Sequence, residues 1–228
     1  MLISGLQKLT LLDYPGKLAA TVFFGGCNFR CPFCHNASLV INPGEGDITE
    51  EQLMSFLDSR RGRLEAVCIS GGEPTLRPEL PSLINSIKEK GFLVKLDTNG
   101  YRPDVLKSLV SCGLIDYVAM DIKNSKEGYA RTVDIPKFDI APVCESVEFL
   151  LSGKVDYEFR TTVVKELHTA QDIVSIARWI KGAKNYFLQS FRDSGDIIKS
   201  GFSPYADWEI ETFLASILPY VPNAQIRA

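Results

Sequence analysis

Short apolar segments alternate with amphipathic segments along this chain, and no other feature restricts its fold as strongly. The apolar segments are rich in β-branched and aromatic residues, as in strands covered on both faces; they are Leu18–Phe24, Ala66–Ser70, Leu93–Asp97, Tyr117–Lys123, Tyr157–Val164 and Tyr186–Ser190. Helical patterns separate them, most beginning near a proline or threonine and ending near a glycine; they are Ile48–Asp58, Pro78–Lys90, Pro103–Cys112, Pro142–Leu151, Thr169–Lys181 and Tyr205–Leu218. This alternation predicts βαβ units and a parallel sheet.

The number of units sets the architecture. About six units are present, fewer than the eight of a closed barrel of roughly 250 residues, in a chain of 228 residues. We therefore predict an α/β fold, a partial (β/α)6 barrel of parallel strands, as a single domain over residues 1–228. Residues 1–17 are expected to form a hairpin or edge segment with Pro15-Gly16 as its turn, and residues 203–228 a C-terminal helix and tail.

Charge and hydropathy exclude several function classes. The net charge is −3, with 23% charged and 45% hydrophobic residues, so no basic face for nucleic acid is indicated. No apolar run approaches the roughly 20 residues that span a bilayer, and the N-terminus lacks the basic start and cleavage site of a signal peptide. We expect a cytoplasmic protein with no membrane or nucleic-acid partner.

A cysteine cluster is the strongest chemical signal. The stretch GGCNFRCPFCHN holds Cys27, Cys31 and Cys34, while the other three cysteines are scattered and are expected in the core. A reducing compartment favours a metal site over disulfides here. One interpretation is a zinc site with His35 as the fourth ligand, although His35 is adjacent to Cys34. The other is an iron–sulfur cluster with three cysteine-ligated irons and one open iron.

Polar residues follow the predicted strands at the edge where parallel α/β folds bind ligands. The second strand leads into Gly71, Gly72 and Glu73, and the third into Asp97, Thr98, Asn99 and Gly100; Asp121 and Lys123, Arg160, and Gln189 lie on the fourth, fifth and sixth strands. Two carboxylates at adjacent strand ends repel each other unless a cation lies between them. The sequence therefore predicts one shared site beside the cysteines.

These motifs, in this order, resemble the radical S-adenosylmethionine (radical SAM) family. The cysteine spacing matches its signature, with an aromatic residue, Phe33, before the last cysteine; the GGEP run at 71–74 matches a second family motif. The resemblance covers about Leu18 to Gln189. It implies a single [4Fe–4S] cluster held by Cys27, Cys31 and Cys34, whose open iron binds S-adenosylmethionine and cleaves it reductively to a 5′-deoxyadenosyl radical.

The resemblance also implies roles for the residues at the strand ends. The cofactor site would contain Phe33, Gly71, Gly72, Glu73, Lys123, Arg160 and Gln189. Glu73 would face the amino group of S-adenosylmethionine, and Lys123 its carboxylate. A monovalent cation would be held near that carboxylate by Asp97, Thr98, Ala119 and Asp121. Relatives have a ribose-contacting histidine where this chain has Phe191, so Gln189 is the candidate substitute.

A narrower resemblance concerns activases of glycyl radical enzymes. The runs Asp13–Lys17 and Gly26–Asn36 are similar to those of activases for anaerobic ribonucleoside-triphosphate reductase. The implied partners are that reductase, whose glycine Cα would lose a hydrogen atom, and a flavodoxin or ferredoxin as electron donor. The alternatives are an activase of the pyruvate formate-lyase type, an enzyme similar to 7-carboxy-7-deazaguanine synthase that acts on a small molecule, and a zinc-binding module without enzymatic activity.

Overall fold

The secondary structure follows the predicted alternation closely. The computed structural model describes residues 2–44 and 46–227. Its strands are β1 (Leu2–Ile3), β2 (Gly5–Thr10), β3 (Ala19–Phe24), β4 (Ile48–Thr49), β5 (Ala66–Gly71), β6 (Leu93–Thr98), β7 (Tyr117–Asp121), β8 (Asp156–Val163), β9 (Tyr186–Ser190) and β10 (Ala224–Arg227). Its α-helices are α1 (Ala37–Ile41), α2 (Glu50–Arg60), α3 (Leu80–Glu89), α4 (Pro103–Ser111), α5 (Tyr129–Val133), α6 (Ala141–Leu151), α7 (Ala170–Trp179) and α8 (Asp207–Ile217).

One eight-stranded sheet, in the order β10-β9-β8-β7-β6-β5-β3-β2, forms the centre of the fold. All neighbours are parallel except β2, which pairs antiparallel with β3. Among the described residues the sheet has two different end strands, β10 and β2, and is not closed. The prediction of a parallel α/β sheet in an open, partial barrel is confirmed. Strands β1 and β4 form a separate antiparallel pair.

The strand register separates an apolar face of the sheet from a more polar one. Val22, Ile69, Leu96 and Val118 are fully buried and lie side by side on β3, β5, β6 and β7. Residues one position earlier, Thr21, Cys68, Lys95 and Tyr117, form the neighbouring row. Because successive strand residues point to opposite faces, the second row faces away from the first. The polar row belongs to the barrel interior, where the candidate site lies.

The helices begin and end where local chemistry predicts. Thr49 caps α2, since its hydroxyl accepts from the Gln52 N–H at 3.2 Å and the Gln52 side chain accepts from the Thr49 N–H at 2.8 Å. Thr169 and Asp172 form the same reciprocal cap on α7. Proline stands in the first turn of α3, α4 and α6, where its missing N–H costs no helical hydrogen bond. These caps explain why the predicted helix boundaries agree with the observed ones to within about two residues.

Strand β10 lies in the segment where only a helix and tail were expected. Arg227 on β10 forms a bidentate ion pair with Glu158, at 2.7 and 2.9 Å, and Glu158 has no exposed surface. The Arg227 guanidinium also stacks on the Phe187 ring at 3.6 Å. The strand therefore neutralises a buried carboxylate as well as extending the sheet.

Two further observations complete the fold. Cys68 is fully buried as expected, whereas Cys112 is exposed. The expected core position of Cys112 was wrong, because the residue follows the last turn of α4.

Within residues 2–44 and 46–227, no helix combines the length and apolar character that a bilayer crossing requires.

Candidate functional site

The carboxyl ends of the parallel strands surround a cavity of about 440 Å³. That volume is within the range of small-molecule sites. Most of the predicted site residues line it: Cys27, Cys31, Phe33, Cys34, Gly71, Gly72, Asp97, Thr98, Asp121, Lys123, Arg160 and Gln189. Glu73, Ala119 and Phe191 are not among its lining residues. One site thus gathers side chains from the cysteine loop and from β6, β7, β8 and β9.

The cysteine loop directly follows β3 and is held by backbone hydrogen bonds. The Arg30 N–H donates to the Val133 carbonyl at 3.0 Å, and the Cys34 N–H donates to the Cys31 carbonyl at 3.0 Å. The Cys27 Sγ accepts from the Phe29 N–H at 3.3 Å. This loop presents all three cysteines to one cavity.

The electrostatics of the cysteines suit a bound metal cluster. Burial raises the pKa of the Cys27 thiol to about 11 and that of the Cys31 thiol to about 12. Such thiols stay protonated at neutral pH unless a cation stabilises the thiolate. Three cysteine sulfurs at one cavity are the donor set of an iron–sulfur cluster with one open iron. A site for a single metal ion is a different matter from a cluster with several irons. In the part of the chain that the structure describes, no three His, Cys, Asp or Glu side chains form a group that could hold one metal ion.

Two glycines let the end of β5 approach the cysteine loop. The Gly72 N–H donates to the Phe24 carbonyl at 2.8 Å, and the Glu73 N–H donates to the Gly26 carbonyl at 2.9 Å. A Cβ at Gly72 would overlap the Gly26 carbonyl oxygen, and one at Gly71, whose φ is +115°, would overlap the Phe24 backbone. Glycine is therefore required sterically at both positions.

Charged side chains form a continuous chain of ion pairs across the cavity wall. Lys95 pairs with Asp97, Arg160 lies between Asp97 and Asp121 at 3.5 and 2.9 Å, and Lys123 pairs with Asp121 at 2.9 Å. Burial would raise the pKa of Asp97 and Asp121, but the neighbouring cations outweigh it and hold both pKa values below their usual range. Three cations thus face two carboxylates. Of these cations, Arg160 and Lys123 line the cavity, so an anionic ligand group would meet them there.

This arrangement bears on the predicted monovalent cation. Repulsion between Asp97 and Asp121 was the reason to expect a cation, and the Arg160 guanidinium occupies the place between them. Ala119 lies opposite Asp97 in the register of β6 and β7, and the expected contribution of Ala119 and Thr98 to a cation site is that of their backbone carbonyls. Arg160 therefore balances the repulsion between the two carboxylates without a metal ion. The cation site stays a prediction.

Glu73 is buried behind the cavity wall and hydrogen-bonded to protein groups. Its side chain is 1% exposed and does not line the cavity. Its carboxylate accepts from the Thr98 hydroxyl at 2.8 Å, the Asn99 N–H at 2.7 Å, and both the N–H and the hydroxyl of Thr75. With its oxygens accepting from these protein donors, Glu73 joins the loop after β5 to the loop after β6, and its expected contact with a cofactor amino group stays a prediction.

Glu73→Gln distinguishes a structural role of Glu73 from a cofactor-binding role. The amide places two N–H groups among donors, so we expect the free energy of unfolding to fall by about 1–3 kcal/mol. Because the side chain does not reach the cavity, we expect the affinity for S-adenosylmethionine to stay within about twofold of wild type. Urea denaturation and calorimetric titration measure the two quantities. A tenfold or greater loss of affinity with unchanged stability would show that Glu73 binds the cofactor.

The sixth parallel strand contributes one of its two candidates. Gln189 lines the cavity opposite Thr162, its neighbour in register on β8. Phe191 is 2% exposed, and its N–H donates to the Val163 carbonyl at 3.4 Å. Phe191 therefore belongs to the core, as an apolar side chain would, and Gln189 is the polar group that this strand offers.

Sequence reasoning did not predict the contacts of four residues, Asp13, Tyr14, Asn99 and His168. Asp13 lines the cavity and accepts from the Thr21 hydroxyl, and the adjoining Tyr14 is buried with its ring 5.8 Å from that of Tyr117. The side-chain amide of Asn99 donates to Asn28 in the cysteine loop at 2.8 Å. His168 is 1% exposed. An Asp-Tyr-Pro-Gly turn and an Asn-Gly turn were visible signals, but their long-range partners were not.

Comparison with known proteins agrees with this geometry. The family model of the radical SAM superfamily matches residues 21–184. A protein of Methanocaldococcus jannaschii, provisionally named a glycyl-radical enzyme activating enzyme, is 36% identical over 83% of this chain and 80% of its own. Pyruvate formate-lyase-activating enzyme from Clostridium pasteurianum is 33% identical over 80% of this chain and 77% of its own. The crystal structure of Streptococcus suis SuiB bound to precursor peptide SuiA has a TM-score of 0.72 at 12% identity, covering 91% of this chain and 48% of SuiB, and shows the fold alone.

Proposed function

The chain belongs to the radical SAM superfamily and, within it, to the glycyl-radical enzyme activating enzymes, and on that premise we propose that its partner is an anaerobic ribonucleoside-triphosphate reductase. Its cofactors are a [4Fe–4S] cluster and S-adenosylmethionine. When bound and reduced, these cofactors supply the radical that removes a hydrogen atom. The choice of this partner rests on two sequence segments, Asp13–Lys17 and Gly26–Asn36, which resemble those of activases for that reductase.

The geometry supports a division of labour among the residues of the cavity. Cys27, Cys31 and Cys34 would hold the cluster, since their sulfurs are the iron ligands available at the cavity. Lys123 would hold the cofactor carboxylate, because its ammonium lies at one end of the ion-pair chain and borders the cavity. Burial would lower the pKa of Lys123, but the Asp121 carboxylate outweighs it and raises the pKa, so the side chain stays charged.

The remaining groups would orient the cofactor and keep water out. Gly71 and Gly72 bring backbone rather than side chains to the cavity, and Phe33, 4% exposed, closes it beside the cysteines. Arg160, which lines the cavity, would contact the ribose or the carboxylate, and Gln189 would contact the ribose. The open sheet would leave room for a glycine-bearing loop of the partner, which a closed barrel would exclude. We also propose a cytoplasmic location, with a flavodoxin or ferredoxin as electron donor.

A pyruvate formate-lyase is the second candidate partner. The 33% identity to the Clostridium pasteurianum activating enzyme favours it. Both candidates require the same cofactor chemistry, and they differ only in the protein loop that reaches the cavity. A direct comparison of the two partners is therefore the decisive experiment.

The protein would be reconstituted anaerobically with iron and sulfide, reduced, and supplied with S-adenosylmethionine and one of the two partner enzymes. We expect a glycyl radical signal in electron paramagnetic resonance with the reductase, formed faster than with the lyase. A reductase whose radical-bearing glycine is replaced by alanine is the matched control and should give no signal.

Each contrary result rejects a different part of the proposal. A signal with the lyase alone would replace the reductase as the partner. Formation of 5′-deoxyadenosine with no protein radical on either enzyme would indicate a small-molecule substrate, as in the 7-carboxy-7-deazaguanine synthase alternative. One zinc per chain without labile sulfide would exclude the cluster altogether.

A further inference from the structure

His168 lies in the interior, between the loops that follow β7 and β8. Its Nε2 is 2.8 Å from the carbonyl oxygen of Lys123, and its Nδ1 is 3.1 Å from the backbone nitrogen and 3.2 Å from the carbonyl oxygen of Val164. Its side chain thus joins the residue after the end of β8 to Lys123, whose ammonium borders the cavity. Nothing in the ion-pair chain or the cysteine loop accounts for this contact.

The two partners assign the tautomer of His168. A carbonyl oxygen can only accept, so Nε2 must carry the hydrogen and donate it to Lys123. A neutral ring has one N–H, so with the hydrogen on Nε2 the Nδ1 atom is the acceptor and takes the Val164 N–H. Burial lowers the pKa of His168, which keeps this neutral form at neutral pH. Both ring nitrogens are then satisfied in the interior, at no cost in unpaired polar groups.

The contact falls at the point where the sheet stops fixing the chain. The Ile122 N–H still donates to the Arg160 carbonyl at 2.8 Å, and the Ile122 carbonyl accepts from the Thr161 hydroxyl at 2.8 Å. Lys123 is the next residue, and its carbonyl is the one that His168 holds. The following residue is held separately, because the Asn124 side chain donates to the Leu167 carbonyl at 3.0 Å. His168 therefore continues, by a side chain, the restraint that the strand provides up to Ile122.

We propose that His168 is a positioning residue, which holds the backbone of Lys123 so that its ammonium stays aimed at the carboxylate of S-adenosylmethionine. The inference rests on the proposed role of Lys123 in binding the cofactor. The Asp121 carboxylate restrains the Lys123 ammonium, at 2.9 Å, while His168 restrains the Lys123 backbone. With both ends held, the ammonium loses little conformational freedom when the cofactor binds.

Two substitutions of His168 separate its two hydrogen bonds. In His168→Gln the side-chain amide reaches as far as Nε2 and can still donate to the Lys123 carbonyl. In His168→Asn the amide oxygen reaches only as far as Nδ1 and can still accept from the Val164 N–H. Both variants lose one hydrogen bond of a buried group, so a purely structural role predicts similar effects of the two on every property.

We expect both variants to lower the melting temperature and only one to weaken cofactor binding. His168→Asn should reduce the affinity of the oxidised, cluster-loaded protein for S-adenosylmethionine by about tenfold, whereas His168→Gln should stay within about twofold of wild type. Calorimetric titration without reductant measures this in the absence of turnover. Equal affinities of the two variants, or weaker binding by His168→Gln, would overturn the proposal.

Lys123→Met separates this inference from the function on which it rests. If Lys123→Met binds S-adenosylmethionine as wild type does, the proposed role of Lys123 fails. If Lys123→Met binds weakly and His168→Asn binds normally, only the positioning role fails. Should either His168 variant not fold, nitrogen-15 spectra of the wild-type imidazole decide: the Nε2–H tautomer supports the proposal, and the Nδ1–H tautomer overturns it.

Discussion

Cys31→Ala is expected to abolish cleavage of S-adenosylmethionine while the chain remains folded. Cys31 is the most deeply buried of the three clustered cysteines, at 6% exposure, and two remaining sulfurs cannot hold a cluster that needs three protein ligands. Its thiol has a pKa of about 12, so the metal-free protein buries a neutral group there. Removing that group costs packing of about 1 kcal/mol and no charge interaction.

The measurements are iron and sulfide content after anaerobic reconstitution, formation of 5′-deoxyadenosine, and far-ultraviolet circular dichroism. Cys144→Ala is the matched control, because Cys144 lies on α6 and does not line the cavity; it should keep the iron and the cleavage activity. Full iron content and normal cleavage in Cys31→Ala would contradict the assignment of the cluster ligands.

Gly72→Ala is expected to lower both the stability and the iron content of the protein, although the substitution adds only one methyl group. The new Cβ would overlap the Gly26 carbonyl, which accepts from the Glu73 N–H and immediately precedes Cys27. Backbone atoms must move apart to relieve such an overlap, so we expect the free energy of unfolding to fall by roughly 3 kcal/mol. We also expect a lower iron content, because the displaced segment leads into the first cluster ligand.

Gly5→Ala provides the comparison for Gly72→Ala. A Cβ at Gly5 would lie 3.5 Å from the Phe23 side chain, an ordinary van der Waals contact. We expect its stability and iron content to be close to wild type. Chemical denaturation and iron analysis of both variants test the expectation, and equal behaviour of the two would mean that the loop after β5 is free to shift away from Gly26.

The regular part of the fold was predictable because its signals are local. The apolar run Tyr186–Ser190 has the observed strand boundaries, and Thr49 carries the cap of α2 in the sequence itself. The general position of the site followed as well, since the carboxyl ends of parallel strands meet at one edge. Four-residue β10 escaped prediction because Gln225 and Arg227 break the apolar pattern of a buried strand.

The roles of individual polar residues depended on contacts that no local pattern encodes. Glu73 and Asn99 are 26 positions apart, and the hydrogen bond between them links two loops that are distant in the sequence. His168 meets Lys123 across 45 positions. That Arg160 pairs with Asp97 could not be predicted without the strand register. The register places Arg160 opposite Asp121 on the neighbouring strand, within reach of Asp97.

The ion pair between Glu158 and Arg227 has a consequence for the order of folding. The two residues are 69 positions apart, and Glu158 is fully buried in β8. Until β10 arrives, enclosing β8 would bury a carboxylate without its guanidinium, which costs several kcal/mol. The side of the sheet near β8 is therefore expected to stay hydrated in the transition state, so that assembly starts around β3, β5 and β6 and finishes when Arg227 docks.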